Sequence, residues 1–264
     1  MELQGAHVLL TGGSRGIGLA LARELASAGA DLTLVARGRD ELNKAAADVG
    51  GRALPCDLAD PAASEGLVER AEQLAGRPVD VVVLNAGTDA AGPFAERSAE
   101  ELQQLWQLNV ASVAELIRQA QVAMAPRGTT GRHAHLVVIS SLSAQVAMPG
   151  MEAYAASKAA VSQLVTGLRR DLRRDGIGAT LVELNQVRTG LYDGIREHPP
   201  TARAFDRAVR LRVLRDLTTE EVAKATVAAI RKDKQLLVLP KRARFQSLLS
   251  KTPQLVAERL LGMR

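Results

Sequence analysis

Tyr154 and Lys158 stand four residues apart in Tyr154-Ala-Ala-Ser-Lys158. On a helix that spacing is about one turn, so the two side chains share a face. An ammonium beside a phenol favours the phenolate and draws the tyrosine pKa down toward working pH. Such a tyrosine can exchange a proton with an alcohol or a ketone. Near the other end of the chain, Thr11-Gly-Gly-Ser-Arg-Gly-Ile-Gly18 follows an apolar run and opens a helix-like stretch. Gly12, Gly16 and Gly18 let backbone approach a ligand closely, and a helix N-terminus there suits a pyrophosphate. A proton-exchanging site beside a dinucleotide site is the combination that hydride transfer requires.

The elements that must position these residues are legible as alternating patterns. The chain has 264 residues, 47% of them hydrophobic, enough for one large α/β domain. Short apolar runs predict strands over 7–11, 31–36, 52–56, 79–84, 134–139, 179–183 and 235–239. Helical periodicity predicts helices over 17–27, 40–49, 61–75, 98–125 and 219–231, and one within 151–175 that carries Tyr154 and Lys158. Strands alternating with helices define an α/β fold: a single-domain, doubly wound (Rossmann) seven-stranded parallel sheet with helices on both faces. Ligands of such sheets bind outside the carboxyl ends of the strands. Gly12, Arg37, Asp57, Asn85, Ser141 and Asn185 each follow a predicted strand and so collect on that edge. The domain is expected to span 1–240. Its longest irregular stretch, 186–216, has Pro199-Pro200 in its middle and is expected to form a substrate lid.

Four motifs in this order and spacing resemble the short-chain dehydrogenase/reductase family. They are Thr11-Gly-x-x-x-Gly-x-Gly18, Asn85-Ala86-Gly87, Ser141 thirteen residues before Tyr154, and Tyr154-x-x-x-Lys158. The resemblance covers about residues 5–240. It implies that Tyr154 is the general acid in reduction and the base in oxidation. Lys158 would lower its pKa and bind the nicotinamide ribose, and Ser141 would hydrogen-bond the reacting oxygen. The asparagine matching Asn109 holds a water in the proton relay. Asn85-Ala86-Gly87 would stabilise the central sheet near the adenine. Asp57 would contact the adenine, with Leu58 counted beside it, and Val187 and Thr189 would contact the carboxamide. Ser14, Arg15 and Ile17, inside the glycine turn, complete the expected cofactor site. A catalytically idle dinucleotide sensor on the same fold is the rival reading, and the intact Asn109, Ser141, Tyr154 and Lys158 set argues against it.

Cofactor choice follows from charge. Sites for NAD place an acid at the end of the second strand, on the ribose 2′-hydroxyl. Here that place is Ala36, followed by Arg37. A guanidinium pairs with a 2′-phosphate, and Arg15 can reach the same group. NADP(H) is therefore expected over NAD(H). Two positions depart from the family pattern: Leu84 precedes Asn85 where the family has Asn, and Leu184-Asn185 replaces its Pro-Gly. Asn185 tolerates positive φ and is expected to stand in for the glycine. Glu183, a carboxylate at a strand end, is expected to pair with a base or to shape the pocket.

The remaining composition narrows the partners. Aromatics are 2%, against the stacking platforms of single-stranded nucleic-acid binders. His7, His133, His135 and His198 show no metal-ligand spacing, and Cys56 is the lone cysteine. A reducing, cytoplasmic setting is expected, with no secretory signal and no membrane span. Ala91 to Phe94, Leu142, Gln145 to Met151 and 191–194 would line a mostly apolar pocket for a small-molecule carbonyl or secondary alcohol on an apolar skeleton, such as a steroid-like, polyketide or acyl-chain ketone. Net charge is +5, and 241–264 carries six cationic residues against Glu258 alone. This basic amphipathic extension suits packing on the domain or across a subunit interface. It also suits weak peripheral contact with an anionic membrane surface. The resemblance implies a homodimer or homotetramer.

Overall fold

The computed structural model describes residues 1–89, 91–128, 134–187, 198–210, 215–240 and 243. Seven strands form one parallel sheet: β1 (His7–Thr11), β2 (Asp31–Ala36), β3 (Arg52–Pro55), β4 (Val81–Leu84), β5 (Ala134–Ser141), β6 (Ile177–Leu184) and β7 (Leu236–Leu239). Their spatial order is β3-β2-β1-β4-β5-β6-β7. The order reverses between β1 and β4, which opens a crevice at their carboxyl ends.

Side chains alternate across each strand, so successive residues feed two cores. Val8 and Leu10 join one core with Leu21 and Leu25 of α1 (Gly16–Ser27) and Leu42 of α2 (Arg39–Asp48). Leu9 joins the other, with residues of α4 (Leu67–Ala75), α6 (Ser112–Gly128) and α7 (Glu152–Arg174). Both faces of the sheet are thus covered, which explains why its strands read as unbroken apolar runs.

Three predicted elements take a different form. The helix expected over 61–75 is two pieces, α3 (Pro61–Ser64) and α4, parted by Gly66 at φ 62°. A left-handed residue cannot continue a right-handed helix. The long helix expected over 98–125 begins as α5 (Ala99–Trp106), whose Ser98 and Glu101 form a reciprocal capping box. A π-helical turn, Gln107–Ala111, then interrupts it before α6. The stretch read as irregular contains α8 (Pro199–Arg210). Its two prolines occupy the first turn, where a missing N–H costs nothing. The last helix, α9 (Thr219–Arg231), is capped by a second box between Thr218 and Glu221. Apart from Ala243, the extension expected over 241–264 lies outside the described residues.

Candidate active site

The carboxyl ends of β1 and β4 are tied together by their own side chains. The Thr11 hydroxyl accepts from the N–H groups of Asn85 (3.0 Å) and Ala86 (3.1 Å). The Asn85 amide donates to the carbonyls of Thr11 (3.1 Å) and Gly12 (3.2 Å). This clamp holds Asn85-Ala86-Gly87 against the glycine turn. Leu84, in place of the family asparagine, is buried in the core, where an amide would lack water.

The turn fits a dinucleotide by what it lacks. Gly12 and Gly16 have φ of 67° and 56°, which disfavour any side chain. A methyl group on Gly18 would collide with the Gly12 carbonyl and lie 2.7 Å from the Asn85 amide. Arg15, the residue capping α1, supplies no side-chain acceptor, and the first turn carries no acid. The first N–H groups of α1 are therefore left for an anion. Ser14 and Ile17 sit half-buried in the same turn. Arg37 extends from the end of β2, its side chain 67% exposed, and comes within 4.0 Å of Asp57 beyond β3. Leu58 is buried beneath them.

The expected catalytic residues meet on the neighbouring part of the edge. The π-helical turn delivers Asn109 fully buried. Its Oδ1 accepts from the Thr88 N–H (2.9 Å), while its Nδ2 donates to the Thr88 carbonyl (2.8 Å) and Ser157 Oγ (3.1 Å). A methyl on Gly87 would lie 3.2 Å from Asn109 Oδ1 and 3.4 Å from Lys158 Nζ, so that glycine is a gap where both polar groups converge. Lys158 Nζ donates to the Ile139 carbonyl (3.3 Å) and sits 5.8 Å from the Tyr154 ring centroid. Ser141 ends β5; its hydroxyl donates to the Leu184 carbonyl (3.4 Å), accepts from the Ser143 N–H (3.0 Å), and lies close enough to the Tyr154 phenol to favour its ionised form.

The electrostatics of the pair differ from the sequence expectation. Burial pushes the Tyr154 phenol up to about 12, opposed by the Ser141 hydrogen bond and reinforced by the charge of Asp89. Burial also pulls the Lys158 ammonium down to about 8. Lys158 is buried and Tyr154 partly so, and Lys158 points its donor at a backbone carbonyl. Loss of hydration therefore outweighs the ammonium's pull on the phenol. At neutral pH Tyr154 holds its proton.

Beyond β6, Asn185 does not take the positive φ of the family glycine; among described residues other than glycine, Asp233 alone does. Asn185 instead accepts from the Gln186 N–H through Oδ1 (2.8 Å). Val187 bridges to Leu217, while Thr189 and 191–194 lie outside the described residues. Glu183 is wholly buried and accepts from the Gln145 amide (2.9 Å).

Two contributors had no sequence signal of their own. Phe205 of α8 packs on Met151 in an apolar cluster with Ala91, Met148 and Tyr154, so this helix covers the phenol's side of the site. Asp89, just after the Asn85-Ala86-Gly87 loop, has its carboxyl pushed up to about 6 by burial. His7 and His135 lie away from this edge, buried in hydrogen bonds to Thr33 and Thr180. Cys56 is buried and hydrogen-bonds the Ala63 carbonyl (3.2 Å).

A crevice at the sheet's switch point, a glycine cradle and an Asn–Ser–Tyr–Lys cluster are what a dinucleotide-dependent oxidoreductase would need. The family model for short chain dehydrogenases matches residues 6–200, and the chain belongs to that family. It is 32% identical over 235 residues to the ketoacyl reductase HetN of Nostoc sp., covering 87% of this chain and 76% of that one. A short-chain dehydrogenase from Sphingobium yanoikuyae, solved with NADPH, superposes at TM-score 0.77 with 28% identity, covering 96% and 95% of the two chains. One from Burkholderia phymatum, solved with NAD, superposes at 0.79 with 26% identity, covering 93% and 92%. Members bind a nicotinamide cofactor and act on small molecules, and these two structures hold different ones.

Proposed function

We propose that this protein transfers hydride between NADP(H) and a ketone/secondary-alcohol pair on a mainly apolar skeleton. The convergence of Ser141, Tyr154 and Lys158 beside buried Asn109 carries the reading. The cofactor, when bound, supplies or accepts the hydride at the reacting carbon. Tyr154, protonated at neutral pH, is placed to give its proton to the oxygen as negative charge develops there. Ser141, beside the phenol, would orient that oxygen as a second donor. Asn109, clamped by Thr88 and Ser157, fixes the floor on which a relay water would rest. The cluster of Met148, Met151 and Phe205 favours an apolar skeleton. A homodimer or homotetramer and a cytoplasmic setting belong to the same reading, on the family's pattern.

The NADP(H) preference rests on Arg37 and Arg15 and on Ala36 where an acid would select NAD. Arg37, largely exposed at the edge, is free to swing from Asp57 to a 2′-phosphate. Initial rates with NADPH and NADH over a panel of apolar ketones test it, with Arg37→Ala alongside. The expected result is faster turnover with NADPH and a roughly tenfold rise of its Kd in the variant, about 1.4 kcal/mol. Equal turnover with NADH at equal concentration would contradict it.

A further inference from the structure

Gln145 lies four residues past Ser141, at the end of the short turn Leu142–Ala144, with its N–H bonded to the Leu142 carbonyl (3.0 Å). Its side chain is pinned from one end. The Nε2 group donates to Glu183 Oε2 at 2.9 Å, and Glu183 is fully buried on β6, in register with Ser140 beside Ser141. A carboxylate oxygen accepts and does not donate, so the amide must present its NH2 group to Glu183. The orientation of the carbonyl end is thereby fixed. That end, Oε1, is buried, and no donor among the described residues reaches it. Asp89 presents a second such atom: its Oδ2 is buried without a donor, and its charge is felt at the Tyr154 phenol. A buried acceptor without a donor is unfavourable, and a ligand that brings the donor relieves it. Gln145, four residues past Ser141, and Asp89 thus offer two buried acceptors without donors among the described residues.

We propose that the substrate carries a hydroxyl group near its reacting carbon, and that this hydroxyl donates a hydrogen bond to Gln145 Oε1. Asp89 is the second acceptor for the same polar edge of the substrate. The inference deepens the hydride-transfer reading and rests on it, since Tyr154 must meet the reacting oxygen. It names the substrate class as hydroxyketones and their diols on an apolar frame. Ethers offer no donor to these oxygens, and carboxylates would be repelled by Asp89 and Glu183. Glu183 is a positioning residue here, acting through the amide it orients.

The test uses matched triplets of apolar ketones: one with a neighbouring hydroxyl, its methyl ether, and the deoxy parent. Both kcat/KM with NADPH and, separately, calorimetric binding of each triplet to the full chain with NADP+ are measured. The expected result is a preference of about 10- to 100-fold for the hydroxyl member over both others. Gln145→Leu should collapse that ratio toward one. Glu183→Gln should lower it in part, because a neutral amide lets Gln145 present either end. If Gln145→Leu does not fold, Gln145→Met and Glu183→Gln carry the same readout. A wild-type ratio near one in binding would assign these oxygens to water and overturn the proposal. A preference that survives Gln145→Leu would overturn it too. Absence of turnover on every triplet counts against the hydride-transfer reading instead, and the binding ratio then still decides this one.

Discussion

Burial sets the protonation of single residues here more strongly than their charged neighbours do. Tyr154 is held protonated and Lys158 is pulled down to about 8. His135 shows the same force away from the site. It is 2% exposed, and burial lowers its pKa to about 4. Thr180 donates its hydroxyl to the Lys234 carbonyl (2.6 Å), so the His135 Nε2–H donates to Thr180 (2.8 Å) and the ring is neutral. Unfolded, a histidine titrates near ~6.5, so the unfolded chain takes up the proton first as pH falls. The contribution of His135 is therefore complete above that pH and is lost as pH falls through about 4. The whole loss is on the order of 3 kcal/mol. His7, also lowered by burial, adds to the decline in the same direction. Urea unfolding at neutral pH and near the lower end of this window should show the loss, and His135→Gln should flatten it. An unchanged slope in the variant would contradict the assignment. At this scale the sequence pointed to Tyr154, Lys158, Ser141 and the glycines as candidates, because their proposed roles depend on local spacing. It did not reveal the Gln145–Glu183 pair, which exists only because β5 and β6 lie in the register that sets Ser140 against Glu183.

Among the elements, the strand–turn–helix of β1 and α1 carries the tightest constraint. The missing Cβ of Gly18 is what lets α1 start against the Gly12 carbonyl. Gly18→Ala should therefore displace the turn, weaken NADPH binding at least about tenfold and lower the melting temperature. Fluorescence titration beside thermal unfolding reads both effects, and wild-type binding in the variant would show that the turn has slack. Most elements were legible because buried parallel strands are short unbroken apolar runs between helices. The exceptions have physical causes. Gly66 breaks a helix whose apolar periodicity runs on through it, and the periodicity alone hides the break. The π-helical turn adds one residue to a helix, shifting Asn109 to a fully buried position that helical periodicity does not register. The pair Pro199-Pro200 looks like a breaker but starts α8, so the helix that brings Phe205 to the site went unseen.

At the scale of the whole molecule, topology does the gathering. Parallel strands send every carboxyl end to one edge, and the reversal between β1 and β4 opens the crevice there. Gly12, Arg37, Asp57, Asn85 and Ser141 reach one site from five strands for that reason, although up to about half the chain separates them. Two cores pressed on the two sheet faces make the edge rigid enough to hold the Asn109, Ser141, Tyr154 and Lys158 arrangement. The central claim is that this arrangement moves a hydride to a ketone while Tyr154 supplies the proton. The most direct measurement is isotope transfer from NADPH carrying deuterium at both C4 positions of the nicotinamide, with the product analysed by mass spectrometry. The account predicts one deuterium at the carbinol carbon, and a rate about 100- to 10,000-fold lower in Tyr154→Phe. Alcohol formed without deuterium, or formed at the wild-type rate by the variant, would contradict it.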